Sequence, residues 1–226
     1  HSIKNRSLIL VGLLYALAIW VDKFCFWGAP ETAEKVAPFF YKSSAYDAGL
    51  FLSYLFVVPA MAYFLVKVET EFYMAYRRYF SLIDQRAPLD LIDSVRRELI
   101  WLIRKNMGGI CLFQGFFTVP ALLLSSEIVE ASGLPVLYVT VFRYGLFGAT
   151  LHVFMLFINI LILYFDLPKA VVRNYFVFFI LNGAFAFLST RLDYRFHGMG
   201  YAFAALVGLT MSLLSLRKIL HDLNFH

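Results

Sequence analysis

Charge is scarce in this chain. Asp, Glu, Lys and Arg together supply 15% of its 226 residues, well below the quarter usual in soluble domains. With 61% hydrophobic residues and a mean hydropathy of +0.72, it cannot cover its apolar surface with water-facing side chains. That excludes an ordinary soluble domain and points to a polytopic membrane protein. Cysteine is scarce too. Cys25 and Cys111 offer no disulfide framework. Catalytic signatures are missing: there is no P-loop, GxGxxG, GxSxG, HExxH or CxxC. The histidines at 1, 152, 197, 221 and 226 do not cluster as metal ligands. The reading is therefore a non-enzyme, with no cofactor and no metal to assign. There is also no initiator Met and no cleavable signal pattern, because "HSIKNR" runs straight into a long apolar stretch. The sequence reads as a piece of a longer protein that lacks its beginning.

What the chain does have is long hydrophobic runs. A bilayer core needs about 20 apolar residues per helix. That ruler predicts six spans, at about 7–27, 49–67, 107–126, 138–165, 170–189 and 200–217. No ten-residue alternation suggests a barrel, so the expected fold is an all-α integral membrane protein in a single membrane domain. Fourteen of the twenty Lys and Arg residues fall on the side that carries the amino terminus. Four lie on the other side (Lys35, Lys42, Arg191 and Arg195), while Lys23 and Arg143 fall within spans. This asymmetry predicts that both termini are cytoplasmic. The net charge of +5 is then a topology signal, with no nucleic-acid motif beside it.

The segment 69–106 is the one extended non-membrane insertion and reads as two helices broken near Pro88. In its second helix Leu91, Ile92, Val95, Leu99, Leu102 and Ile103 share one face. Arg96, Arg97, Glu98, Arg104 and Lys105 occupy the rest. Such a basic amphipathic helix is expected to lie in the headgroup layer and continue into span three, or to dock a cytoplasmic partner through Arg96, Arg97, Arg104 and Lys105.

Polar residues at membrane depth are costly and usually find partners or line a wet cavity. Here they are Asp22, Lys23, Gln114, Arg143, His152, Asn159 and Asn182. Asp22 lies late in span one and Arg143 early in span four. Equal depth and opposite sign predict an Asp22–Arg143 ion pair, with Lys23 snorkelling outward. His152 and Asn159, seven residues apart, share a helix face. Each of these groups either lines a solute path or only bonds helix to helix. Pro59 and Pro120 are expected to bend spans two and three. Trp27, Tyr41 and Tyr201 read as interfacial anchors, and the Phe-rich stretch 174–187 as a lipid-facing and packing surface.

Two stretches, "NRSLILVGLLYALAIWVDKFCFW" (5–27) and "LDYRFHGMGYAFAALVGLTMSLLSLRKILHDLNFH" (192–226), resemble the PelG family, membrane subunits of bacterial exopolysaccharide exporters. The resemblance extends over the whole chain as the carboxy-terminal half of such a subunit. It implies one six-helix half of a twelve-helix fold of the polysaccharide-flippase and multidrug-exporter type. It also implies export of an N-acetylhexosamine polymer across the inner membrane during biofilm matrix production. A cytoplasmic glycosyltransferase and other membrane subunits are the implied partners. A flippase for lipid-linked oligosaccharide and a non-transporting scaffold for a synthase complex are the alternatives.

Overall fold

The computed structural model describes residues 2–222. His1 and residues 223–226 lie outside it, and with them His226 and the end of the terminal stretch that carries the family resemblance. Helix α1 (Ser2–Gly28) leads to a two-stranded antiparallel hairpin, β1 (Glu34–Ala37) and β2 (Phe40–Lys42). Then come α2 (Ser44–Leu55), α3 (Val58–Lys67), a wide π-type turn (Val68–Phe72) and α4 (Tyr73–Asp84). Helices α5 (Leu89–Leu123), α6 (Ser125–Ala131), α7 (Tyr138–Tyr164), α8 (Pro168–Ser189) and α9 (Met199–Asp222) complete the order. Six helical segments are long and apolar enough to cross a membrane: Arg6–Gly28, Ser44–Asp84, Leu89–Leu123, Tyr138–Tyr164, Pro168–Ser189 and Tyr194–Asp222. The chain is an all-α multi-pass membrane protein.

Two of those segments are too long for the bilayer alone. The run Ser44–Asp84 holds 41 residues and α5 holds 35, or about 60 and 50 Å of helix against an apolar core of about 30 Å. Both overshoot at the same end, where the turn 85–88 joins them and where the Lys and Arg residues gather. We call this the basic end. The overshooting parts pack together as α4 against α5. Val95, Leu99 and Ile103 are buried there in the same cluster as Phe72 and Tyr79. The apolar face of 89–106 is thus covered in part by α4, and the helix continues into span three as expected. The long second segment returns alongside it, and protein reaches that face before lipid does.

Pro59 does more than bend its span. Lacking an N–H and crowding the carbonyl four residues back, it sits in the first turn of α3. The helix stops at Leu55 and restarts at Val58, with tightened bonds from Phe56 N to Ser53 O and from Val57 N to Tyr54 O. Pro120 lies three residues before the end of α5.

Helix α7 is the centre of the bundle, packed on α2, α5, α8 and α9, while α1 rests on α8 and the start of α2. The close approach of α8 and α9 depends on Gly200, where a Cβ would stand 2.8 Å from the backbone C and O of Phe185. Leu112, Phe116, Ile9 and Leu123 point outward and are at least 71% exposed, as lipid-facing side chains should be. The hairpin and α6 close the far end, opposite the basic end. Neither is visible in hydropathy, because both are short and lie between spans.

Candidate functional site

An ionised carboxylate inside an apolar bundle needs partners. Asp22, fully buried, has two. The Tyr46 hydroxyl of α2 donates to Asp22 Oδ2 at 2.7 Å, and Lys23 Nζ lies 3.2 Å from both carboxylate oxygens. Neighbouring residues on a helix point apart, so the lysine must curl back to make this contact. It does, and Nζ also donates to Ile19 O at 2.8 Å, leaving the side chain 11% exposed. Tyr46 is fixed by stacking on Phe26, centroid to centroid 3.8 Å with the rings 14° apart.

The polar string continues inward. Lys23 Nζ stands 5.7 Å from the centre of the Tyr54 ring, within cation–π range. Tyr54 meets Tyr201 edge to face at 6.3 Å, and Tyr201 Oη lies 2.9 Å from His152 Nδ1. Tyr15 is edge-on to His152 at 5.8 Å. Helices α1, α2, α7 and α9 therefore contribute to one connected set, from the Asp22–Lys23 pair to the imidazole. The set borders a cavity of about 250 Å³ lined in part by Tyr15, Tyr54, Val57 and His152, near the lower limit of small-ligand sites. His152 Nε2 is buried with no hydrogen-bond partner among the described residues.

The other expected polar residues lie apart from this set and bond helix to helix. Asn159 Nδ2 donates to Ser212 Oγ at 3.1 Å and its Oδ1 accepts from Asn174 at 2.9 Å. Ser215 and Arg173 extend that ladder between α7, α8 and α9. Asn182 Nδ2 donates to Ala18 O at 2.9 Å, linking α8 to α1. Gln114 Nε2 donates to Thr118 Oγ1 at 2.8 Å and to Phe56 O at 3.2 Å, the carbonyl freed by the break at Pro59.

Three expectations need correction. Asp22 and Arg143 are not an ion pair: Arg143 Nε donates to Ser125 Oγ of α6 at 2.5 Å, while Asp22 is satisfied by its neighbour and by Tyr46. Equal depth could not reveal that their helices face different neighbours. Lys23 does not snorkel outward, because the buried Asp22 carboxylate and the Ile19 carbonyl hold its ammonium inside the bundle. Tyr201 is no interfacial anchor: it is 1% exposed, drawn inward by the space at Gly148, where a Cβ would lie 2.6 Å from its ring.

The sequence reading also missed Tyr15, Tyr46 and Tyr54 as members of the site. Their signal was present: Tyr46 lies at the depth of Asp22, and Tyr54 follows it about two turns inward on the same side of the helix. Small residues Gly200, Ala204, Gly208 and Ser212, spaced by four on α9, likewise announced a close helix contact.

Of the docking candidates, Arg96 and Arg97 both pair with Asp93, Lys105 Nζ lies 4.9 Å from the Trp101 ring centre, and Arg104 is exposed. No three His, Cys, Asp or Glu side chains gather as a metal site among the described residues.

The site is thus a buried polar string inside an all-α bundle. The family described as "PelG: Putative exopolysaccharide Exporter (EPS-E)" matches residues 1–226. The chain belongs to the PelG family. No curated protein and no solved structure matches it. PelG is a family of exporters and not of enzymes, so the chain's general role is exopolysaccharide export across a membrane. Its surroundings are a lipid bilayer and a polysaccharide substrate.

Proposed function

We propose that the chain moves an N-acetylhexosamine-containing polymer across the bacterial inner membrane during biofilm matrix production. In this reading it forms one six-helix half of a twelve-helix, flippase-like transporter, with both termini cytoplasmic. The Asp22–Lys23–Tyr46 group and the string through Tyr54 and Tyr201 to His152 edge the path. One observation carries the proposal: a string of polar and aromatic groups leads from the buried Asp22–Lys23 pair to a cavity lined by Tyr15, Tyr54 and His152. Hydroxyls, an ammonium and aromatic faces suit a mostly neutral sugar polymer, which offers hydroxyl and amide groups to bond and apolar ring faces to stack. Gln114, Arg143, Asn159 and Asn182 act as interhelical ties that hold the path's walls.

The α4–α5 hairpin is the proposed dock for a cytoplasmic glycosyltransferase, so that synthesis ends where export begins. Other membrane subunits would cover the outward apolar faces. Deleting 69–106 would remove buried core residues such as Leu99, so charge reversal is the cleaner probe. Arg97→Glu with Lys105→Glu is expected to release the glycosyltransferase from membranes, measured by fractionation of cells carrying the full-length protein. Unchanged membrane association would refute the docking.

A scaffold without transport is the second reading. The Asn159–Asn174–Ser212–Ser215 ladder favours it, since those groups are engaged in bonds between helices. The two readings part on export itself: a scaffold tolerates replacement of the Asp22–Lys23 pair while protein abundance holds.

A further inference from the structure

At the basic end, a cavity of about 380 Å³ lies between α5 and α9, inside the range of ligand sites. Its wall is apolar, with Ile103 and Met107 on one side and Leu213 and Leu220 on the other. Two guanidinium groups, Arg104 and Arg217, stand at its edge. Both residues are exposed, and neither forms an ion pair with a carboxylate among the described residues. This contrasts with Arg96 and Arg97 about two turns earlier on α5, which share Asp93. The groove lies between two membrane-crossing segments, close to where each leaves the bilayer.

We propose that this groove is a binding site for one phospholipid with an anionic headgroup. The argument is complementarity. An acyl chain fills the apolar cleft between α5 and α9, which neither helix closes. The phosphodiester lies at the mouth, where planar guanidinium forks match its oxygens. Basic pockets between transmembrane helices recognise anionic headgroups in this way. A free phosphate would leave the cleft empty, and a zwitterionic lipid would bring a third cation against two that already lack a counter-charge. A lipid seated here bridges α5 and α9.

The test uses the full-length protein in detergent, titrated with phosphatidylglycerol or phosphatidylcholine of the same chains and read by native mass spectrometry. The expected result is one phosphatidylglycerol held about tenfold more tightly than phosphatidylcholine. Arg104→Gln/Arg217→Gln should erase that preference. Leu213→Trp, which fills the cleft and keeps both charges, should weaken both lipids. Arg77→Gln/Arg78→Gln, on α4 away from the groove, should change nothing. Melting temperature in detergent checks that each variant is folded. Equal binding of the two lipids by the parent protein would overturn the proposal. So would full retention by either groove variant, or an equal loss in the α4 control, which would mean surface charge alone. A photoreactive group at 213 that captures protein and not lipid in membranes would also overturn it.

Discussion

At the scale of single residues, the molecule's main device is the neutralisation of Asp22 by its own neighbour. Removing one member of a buried ion pair leaves the other uncompensated, at a cost of about 3 kcal/mol or more. Asp22→Asn should therefore lower the melting temperature of the detergent-purified protein sharply, by stranding Lys23. Asp22→Asn/Lys23→Met should recover most of the loss, since neither charge remains. If the double variant is as unstable as the single one, the pair is not the reason for the cost. Tyr201→Phe strips His152 Nδ1 of its 2.9 Å partner and should cost about 1–3 kcal/mol, read in the same melt. The identity of the polar residues was legible in the sequence, because charge at membrane depth stands out against an apolar background. Their partners were not. The Asp22–Arg143 expectation used depth and sign, which a linear sequence supplies. It lacked the azimuth of each helix, which is decided by glycines and alanines that carry little hydropathy signal.

At the scale of elements, close helix contacts and one deliberate break set the geometry. Gly200→Ala places a methyl 2.8 Å from the backbone of Phe185, and backbone cannot rotate aside. The expected loss is about 1–3 kcal/mol, despite alanine's advantage of about 1 kcal/mol in helix propensity. Gly12→Ala is the control, because nothing lies within 4 Å of its added Cβ, and should be neutral or mildly stabilising. Equal behaviour of the two would remove the packing argument. Gln114→Leu leaves Phe56 O without the amide that answers the Pro59 break, and should cost about 1–3 kcal/mol in the same assay. The six apolar runs were legible because a bilayer imposes a length on them. The break between α2 and α3 was half legible: Pro59 signalled a bend, while the donor that answers the Phe56 carbonyl is Gln114, 58 residues further along the chain. The amphipathic stripe of 89–106 was read correctly as a stripe, but part of its cover was α4 and not lipid, and period alone cannot tell those apolar neighbours apart.

At the scale of the whole molecule, the charge asymmetry sets which end of the bundle faces the cytoplasm. Cysteines introduced at Arg97 and at Lys35 should label from opposite sides of the membrane, with position 97 reached only from the cytoplasm. Labelling of both from one side would contradict the charge asymmetry read from the sequence. The functional claim is that the string from Asp22 and Lys23 to His152 edges the export path, and is more than a tie between helices. The most direct measurement is secreted against retained polysaccharide in cells whose full-length protein carries Asp22→Asn/Lys23→Met, with membrane abundance quantified alongside. The double variant matters because it deletes the polar group without leaving a stranded charge to unfold the protein. Export lost at normal abundance is the predicted result. Normal export at normal abundance would contradict the account and return the pair to a purely structural role.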